Sequence, residues 1–238
     1  MEIPYGKVIQ INSPILKTEN LRVILFGATG MAGSGVLDEC LVHPAIEMVI
    51  AVSRKSTGVI HPKLKEVIHS DFKNYSSIET QLSGCDACFY CLGISQTQIK
   101  SETEYHEITY EYTMAAAETL CRLNPGMVFC FLSGAGTDPG MTSRMMWARI
   151  KGKAENDLKK FPFGKLFIFR PALIHQAGRV KSRLWMARIL EPFYPVLNFL
   201  FPAFVTTTRE FGRAMISAAI GLSEKNILEN KDIRTLGK

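Results

Sequence analysis

Six short stretches of the chain are apolar along most of their length and end in polar, glycine or proline residues: LRVILF (21–26), EMVIAV (47–52), KEVIHS (65–70), DACFYC (86–91), MVFCFL (127–132) and KLFIFR (165–170). Their length and their β-branched and aromatic content predict strands. Between them the spacing turns helical. Val36, Leu37, Cys40 and Leu41 recur at helix intervals in MAGSGVLDECLV, and further helices are predicted over 77–82, 103–122 and 142–160. Strands without a polar face must be covered on both sides, so this alternation predicts a parallel sheet between two helical layers. The expected fold is a three-layer, doubly wound α/β (Rossmann) domain with right-handed crossovers.

The pattern changes after Pro171. LWMARILEPFYPVLNFLFPAF (184–204) is rich in aromatics and proline, and TTTREFGRAMISAAIGL (206–222) predicts a terminal helix. Residues 172–238 are therefore expected to contribute a small substrate-side cap to a single domain spanning 1–238. Arg188, Glu191, Pro192, Pro195 and Pro202 interrupt 184–204, which does not read as a membrane-crossing helix. Three uses stay open for it: pocket lid, homodimer contact, or peripheral contact with a membrane through Lys181, Arg183 and Arg188. The pocket lid is the first choice. Residues 1–20 lack the basic start and apolar core of a signal peptide and read as a short leader.

The junction of the first strand and helix is GATGMAG, which sets Gly27, Gly30 and Gly33 at G-x-x-G-x-x-G spacing with Thr29 and Met31 between them. Glycine is needed there because the turn is tight, because a side chain would keep a pyrophosphate off the backbone amides, and because helix and strand pack closely. About 20 residues further on, an NAD-binding protein usually offers a carboxylate to the ribose 2′-hydroxyl, whereas an NADP-binding one offers arginine to the 2′-phosphate. Here the second strand ends in Ser53-Arg54-Lys55. NADP(H) is favoured over NAD(H), because Arg54 and Lys55 supply cations and no acid stands beside them.

Composition supports a folded domain: 238 residues, 47% apolar and 21% charged. The net charge of +6 is dispersed, with no basic tract interleaved with aromatics, so nucleic acid is not an expected partner. Six cysteines lie mostly in apolar runs, which suits free thiols in a reducing, cytoplasmic setting. Cys85, Cys88 and Cys91 have C-x-x-C-x-x-C spacing, but on a strand Cys88 and Cys91 point to opposite faces, and the five histidines show no metal-binding spacing; no metal is expected. Ser133 is no nucleophile elbow, since Phe131 stands where G-x-S-x-G requires glycine.

Taken in order, LFGATGMAG, VSRKS, HSDF, FYCLGIS, FLSGAG, WARIKGKAE and FRPALI resemble the atypical short-chain dehydrogenase/reductases, near the Tat-interacting oxidoreductase-like and NAD-dependent epimerase-like NAD(P)-binding proteins. The resemblance implies that Asp71 and Phe72 lie beside the adenine, that Cys91, Leu92 and Gly93 pass under the cofactor ribose, and that Pro171 and Ala172 hold the nicotinamide carboxamide. It makes Ser133 the group that polarises a substrate and Lys151 the catalytic lysine that also holds the nicotinamide ribose. The departure is Trp147, which stands where the family has a tyrosine. An indole N–H donates a hydrogen bond but gives up no proton near neutral pH. Two functions remain. One is an oxidoreductase acting on a small apolar carbonyl compound, with Lys151 or a water held by Ser133 supplying the proton and Trp147 forming a pocket wall; the other is an NADP(H)-binding regulatory or interaction protein without turnover.

Overall fold

The computed structural model describes residues 17–99, 101–176 and 204–238. The leader up to residue 16 and the aromatic stretch up to residue 203 lie outside them.

The elements follow the apolar pattern closely. They are β1 (Leu21–Phe26), α1 (Met31–Val42), β2 (Ile46–Ser53), β3 (Leu64–Ile68), α2 (Glu79–Leu82), β4 (Ala87–Tyr90), α3 (Glu102–His106), α4 (Tyr112–Leu123), β5 (Val128–Leu132), α5 (Met146–Leu158) and β6 (Lys165–Arg170). Then come β7 (Leu173–His175), β8 (Val205–Thr207), α6 (Thr208–Ala219), β9 (Ile227–Glu229) and α7 (Asn230–Leu236). Seven strands form one parallel sheet in the order β3-β2-β1-β4-β5-β6-β9, and β7 and β8 pair separately. Alternate residues feed two cores. Val23 and Leu25 of β1 face the layer of α1 and α6, while Ile24 and Phe26 face an aromatic-rich layer with Tyr75, Tyr90, Phe129 and Phe131. Both faces are buried, which is why these strands carry no polar stripe.

Two expectations need correcting. The helix predicted over 103–122 is interrupted by a π-helical turn at Glu107–Glu111 between α3 and α4, a widening that leaves little trace in apolar spacing. The helix predicted from residue 142 starts at Met146, because Asp138 accepts from Gly140 N, Thr142 N and Ser143 N and holds 140–143 as a loop. Of the segment expected as a cap, residues 177–203 lie outside the described residues, while α6 and β9 pack on the main body. The hydroxyl of Thr207 and the carboxylate of Glu210 cap α6 reciprocally, and α6 packs on α1 so closely that a Cβ on Gly35 would stand 2.4 Å from Thr208 Cβ. β9, too short to show period, adds the seventh strand beside β6.

Candidate functional site

The carboxyl ends of β1 to β6 share one edge of the sheet, and the strand order reverses between β1 and β4, which opens a crevice there. Gly27 turns the chain away from β1 with φ +80°, and a Cβ on it would stand 2.6 Å from Cys91 O. A Cβ on Gly33 would meet Gly27 O at 2.1 Å. Only glycine permits either approach. Gly30 begins α1 without a side-chain cap, and no acid occupies the first turn, so that end of the helix is left to an anion. Thr29 and Gly30 are exposed and Met31 is half-buried. This tight backbone turn, whose contacts at Gly27 and Gly33 leave no room for a Cβ, fits the pyrophosphate of a dinucleotide.

Beside it, Arg54 and Lys55 stand exposed after β2. Asp71 is exposed after β3, but Phe72 turns inward and is 4% exposed, its ring packed against Phe26, Tyr75 and Tyr112. Of that pair only Asp71 offers a side chain to a ligand. Lys73 ties the loop to the π-helical turn through Glu107 and Glu111, each at 2.8 Å. Cys91 likewise presents backbone: its thiol points into the core, 3.8 Å from Met215 Sδ, and burial pushes its pKa far up. Cys88 lies in the opposite core layer. Leu92 is half-buried and Gly93 exposed.

At the other end of the edge, Trp147, Lys151 and Glu155 recur at four-residue intervals on α5 and so share a face. Lys151 Nζ donates to Leu132 O at 3.3 Å and to Ser133 O at 3.0 Å. Burial lowers its pKa from 10.5 to about 8, with Glu155 partly opposing the shift. Gly152 lets the loop after β5 reach α5, since a Cβ there would meet Asp138 O at 1.9 Å. The indole of Trp147 lies along that loop, its Cη2 3.5 Å from where a Cβ on Gly136 would stand.

The sequence reading has Ser133 presenting its hydroxyl to a substrate. The structure turns it inward: Ser133 is 4% exposed, and Oγ donates to Glu155 Oε1 at 2.5 Å. Glu155 is fully buried and is held by the guanidinium of Arg170, which also reaches Glu229 Oε1 at 3.2 Å. Pro171 is buried and Ala172 exposed, and Asn230 Oδ1 accepts from Ala172 N at 3.1 Å. Glu155, Arg170, Glu229 and Asn230 carry no site role in the sequence reading. The spacing of Glu155 from Lys151 was a usable signal, but nothing local pointed to residues 229 and 230. Among the described residues no group of three or more His, Cys, Asp or Glu is placed to hold a metal, and no helix is long and apolar enough to cross a membrane.

Residues 23–144 match the model of the NAD dependent epimerase/dehydratase family. Protein HTATIP2 of Rattus norvegicus is 27% identical over 229 residues, which cover 93% of this chain and 91% of that protein. Protein fmp52, mitochondrial, of Emericella nidulans is 27% identical over 162 residues, covering 64% and 66%. Among solved structures, the Bordetella bronchiseptica enzyme WbmF in complex with NAD+ aligns at a TM-score of 0.65 and 12% identity, over 92% of this chain and 78% of that one. UDP-glucose 4-epimerase from Thermotoga maritima aligns at 0.65 and 14% identity, over 91% and 81%. At such identities the shared property is the fold.

Proposed function

The chain belongs to the NAD dependent epimerase/dehydratase family, and from that premise we propose that it binds NADP(H) in the crevice and reduces a small, fairly apolar carbonyl compound with Lys151 as the proton source. The cofactor supplies hydride; the chain must supply a bed for the pyrophosphate, a group that reads the ribose 2′-position, and a proton for the carbonyl oxygen. The glycine turn at 27–33 is the bed. Arg54 and Lys55 favour a 2′-phosphate over a bare hydroxyl.

One observation carries the chemical half. Lys151 has three ammonium protons, and two are directed at Leu132 O and Ser133 O, which leaves the third for a ligand. An acid near pKa 8 is well matched to neutral pH, and Trp147 has no proton to offer in its place.

A second reading, an NADP(H)-binding regulatory or interaction protein without turnover, draws on a different observation. The Ser133 hydroxyl is committed to Glu155, and an indole occupies the position of the usual tyrosine. Titration of NADPH fluorescence tests binding, which both readings require. A carbonyl panel run on wild type, Lys151→Met and Trp147→Tyr separates them: turnover in wild type that Lys151→Met abolishes supports the reductase, and turnover in Trp147→Tyr alone supports the binding protein. The six free cysteines, five of them buried, suit a reducing compartment, and we propose the cytoplasm, although fungal relatives are named as mitochondrial; imaging of a tagged chain decides. A homodimer or membrane contact through 184–204 remains a proposal for sedimentation and liposome binding to test.

A further inference from the structure

Arg54 and Lys55 leave β2 on a segment, residues 54–59, with no regular secondary structure, yet that segment is densely bonded. Ser53 Oγ donates to Lys55 O at 2.6 Å and closes a turn around Arg54. The next residues are held by one side chain from outside the segment. Glu66, paired with Ala51 across β3 and β2, accepts from Thr57 N at 2.6 Å and Thr57 Oγ1 at 2.7 Å through Oε1, and from Ser56 Oγ at 2.7 Å through Oε2. Ser56 Oγ and Thr57 Oγ1 in turn accept from Gly58 N at 3.0 Å and Val59 N at 3.3 Å. Burial pushes the Glu66 carboxyl upward, but these bonds outweigh it and hold the pKa below the usual range.

An acid beside a phosphate reader is unexpected, because a free carboxylate would repel the phosphate. Both of its oxygens, however, are taken up by loop donors, so what it supplies is geometry. An unfixed loop carrying two long cations would lose backbone as well as rotamer freedom on meeting a ligand, whereas a fixed one has already lost the backbone part.

We propose that Glu66 is the positioning residue for 2′-phosphate recognition: it locks the loop after β2 so that Arg54 and Lys55 meet the phosphate of NADP(H) as a preset pair. This rests on the NADP(H) reading above. NAD(H) lacks the phosphate and is indifferent to the lock.

The test measures Kd for NADPH and NADH by cofactor fluorescence on the full chain and on Arg54→Ala, Glu66→Ala and Glu66→Gln. Wild type is expected to prefer NADPH and Arg54→Ala to lose that preference. Glu66→Ala is expected to weaken NADPH about tenfold while moving NADH by less than about twofold, the pattern of lost preorganisation. Glu66→Gln, which keeps an acceptor for Thr57, is expected to restore most of the affinity. If Glu66→Ala keeps the wild-type NADPH:NADH ratio while Arg54→Ala abolishes it, the role of Glu66 is overturned and the NADP(H) reading stands. Equal weakening of both cofactors by Glu66→Ala also overturns it, by showing a merely structural residue. A wild type without preference for NADPH overturns the cofactor reading, and this inference with it.

Discussion

At the β1–β4 end of the crevice the chain keeps the glycines that a dinucleotide demands; at the β5–α5 end it keeps the lysine but turns one hydroxyl inward and replaces the other with an indole. The two ends are constrained differently. Binding a pyrophosphate depends on backbone positions that exclude a Cβ, and the whole first βα unit is packed around them. Delivering a proton depends on one polar atom, which can be moved or lost without disturbing the sheet. On the proposed function, binding and turnover are therefore expected to be separable.

The largest test of the contrast is Gly33→Ala. Its Cβ would stand 2.1 Å from Gly27 O, so strand and helix must part; overpacking of this kind costs roughly 1–3 kcal/mol or more. The expected result is a lower melting temperature together with loss of saturable NADPH fluorescence. Next is Trp147→Tyr at the other end. Restoring a proton donor is expected to raise turnover about 10²-fold or more, the usual contribution of a positioned acid, with little change in NADPH affinity. A gain in turnover accompanied by a loss of binding would break the separation.

Ser133→Ala sharpens the contrast by a smaller effect. The hydroxyl serves a buried carboxylate, so its removal is expected to lower stability by about 1–3 kcal/mol in denaturant melts and to leave turnover per folded molecule unchanged. A drop in kcat with unchanged stability would return Ser133 to the reacting atoms. The smallest effect is a slope in pH. The pKa of Lys151 is about 8 in the folded chain and 10.5 in the unfolded one, so the unfolded chain binds more protons between those values. Stability from this group is expected to rise as pH goes from about 8 towards 10.5, and Lys151→Met is expected to flatten the rise. In a reductase assay the same group is expected to set the basic limb, with the rate falling as pH passes about 8.

Much of the fold was legible because its signals are local. Six of the seven sheet strands stand out as apolar runs, and the glycine turn shows by spacing alone. β9 did not, since three residues have no period and their place beside β6 depends on packing across the chain. The place of α6 was not legible for the same reason: its face is matched to Gly35 and Glu39 of α1, far away in sequence. At the candidate site, Gly27, Gly30, Gly33, Arg54 and Lys55 were singled out by residue type and position, and Lys151 by resemblance. Phe72 was assigned to the adenine on sequence, yet its ring completes an aromatic cluster whose other members come from β1, the loop before α2, and α4.

The sequence by itself determined the alternation of strands and helices, the turn that only glycine can make, the cations at the end of β2, and the absence of a tyrosine four residues before Lys151, because each is written in neighbouring residues and their sterics. Tertiary structure alone decided which way Ser133 points, that Glu155 accepts from it while Arg170 holds Glu155, and that Glu66 holds the loop of Arg54. Each of those is a contact between polar groups that the chain brings together only after the sheet has formed, and no local period records the partner of a buried hydrogen bond.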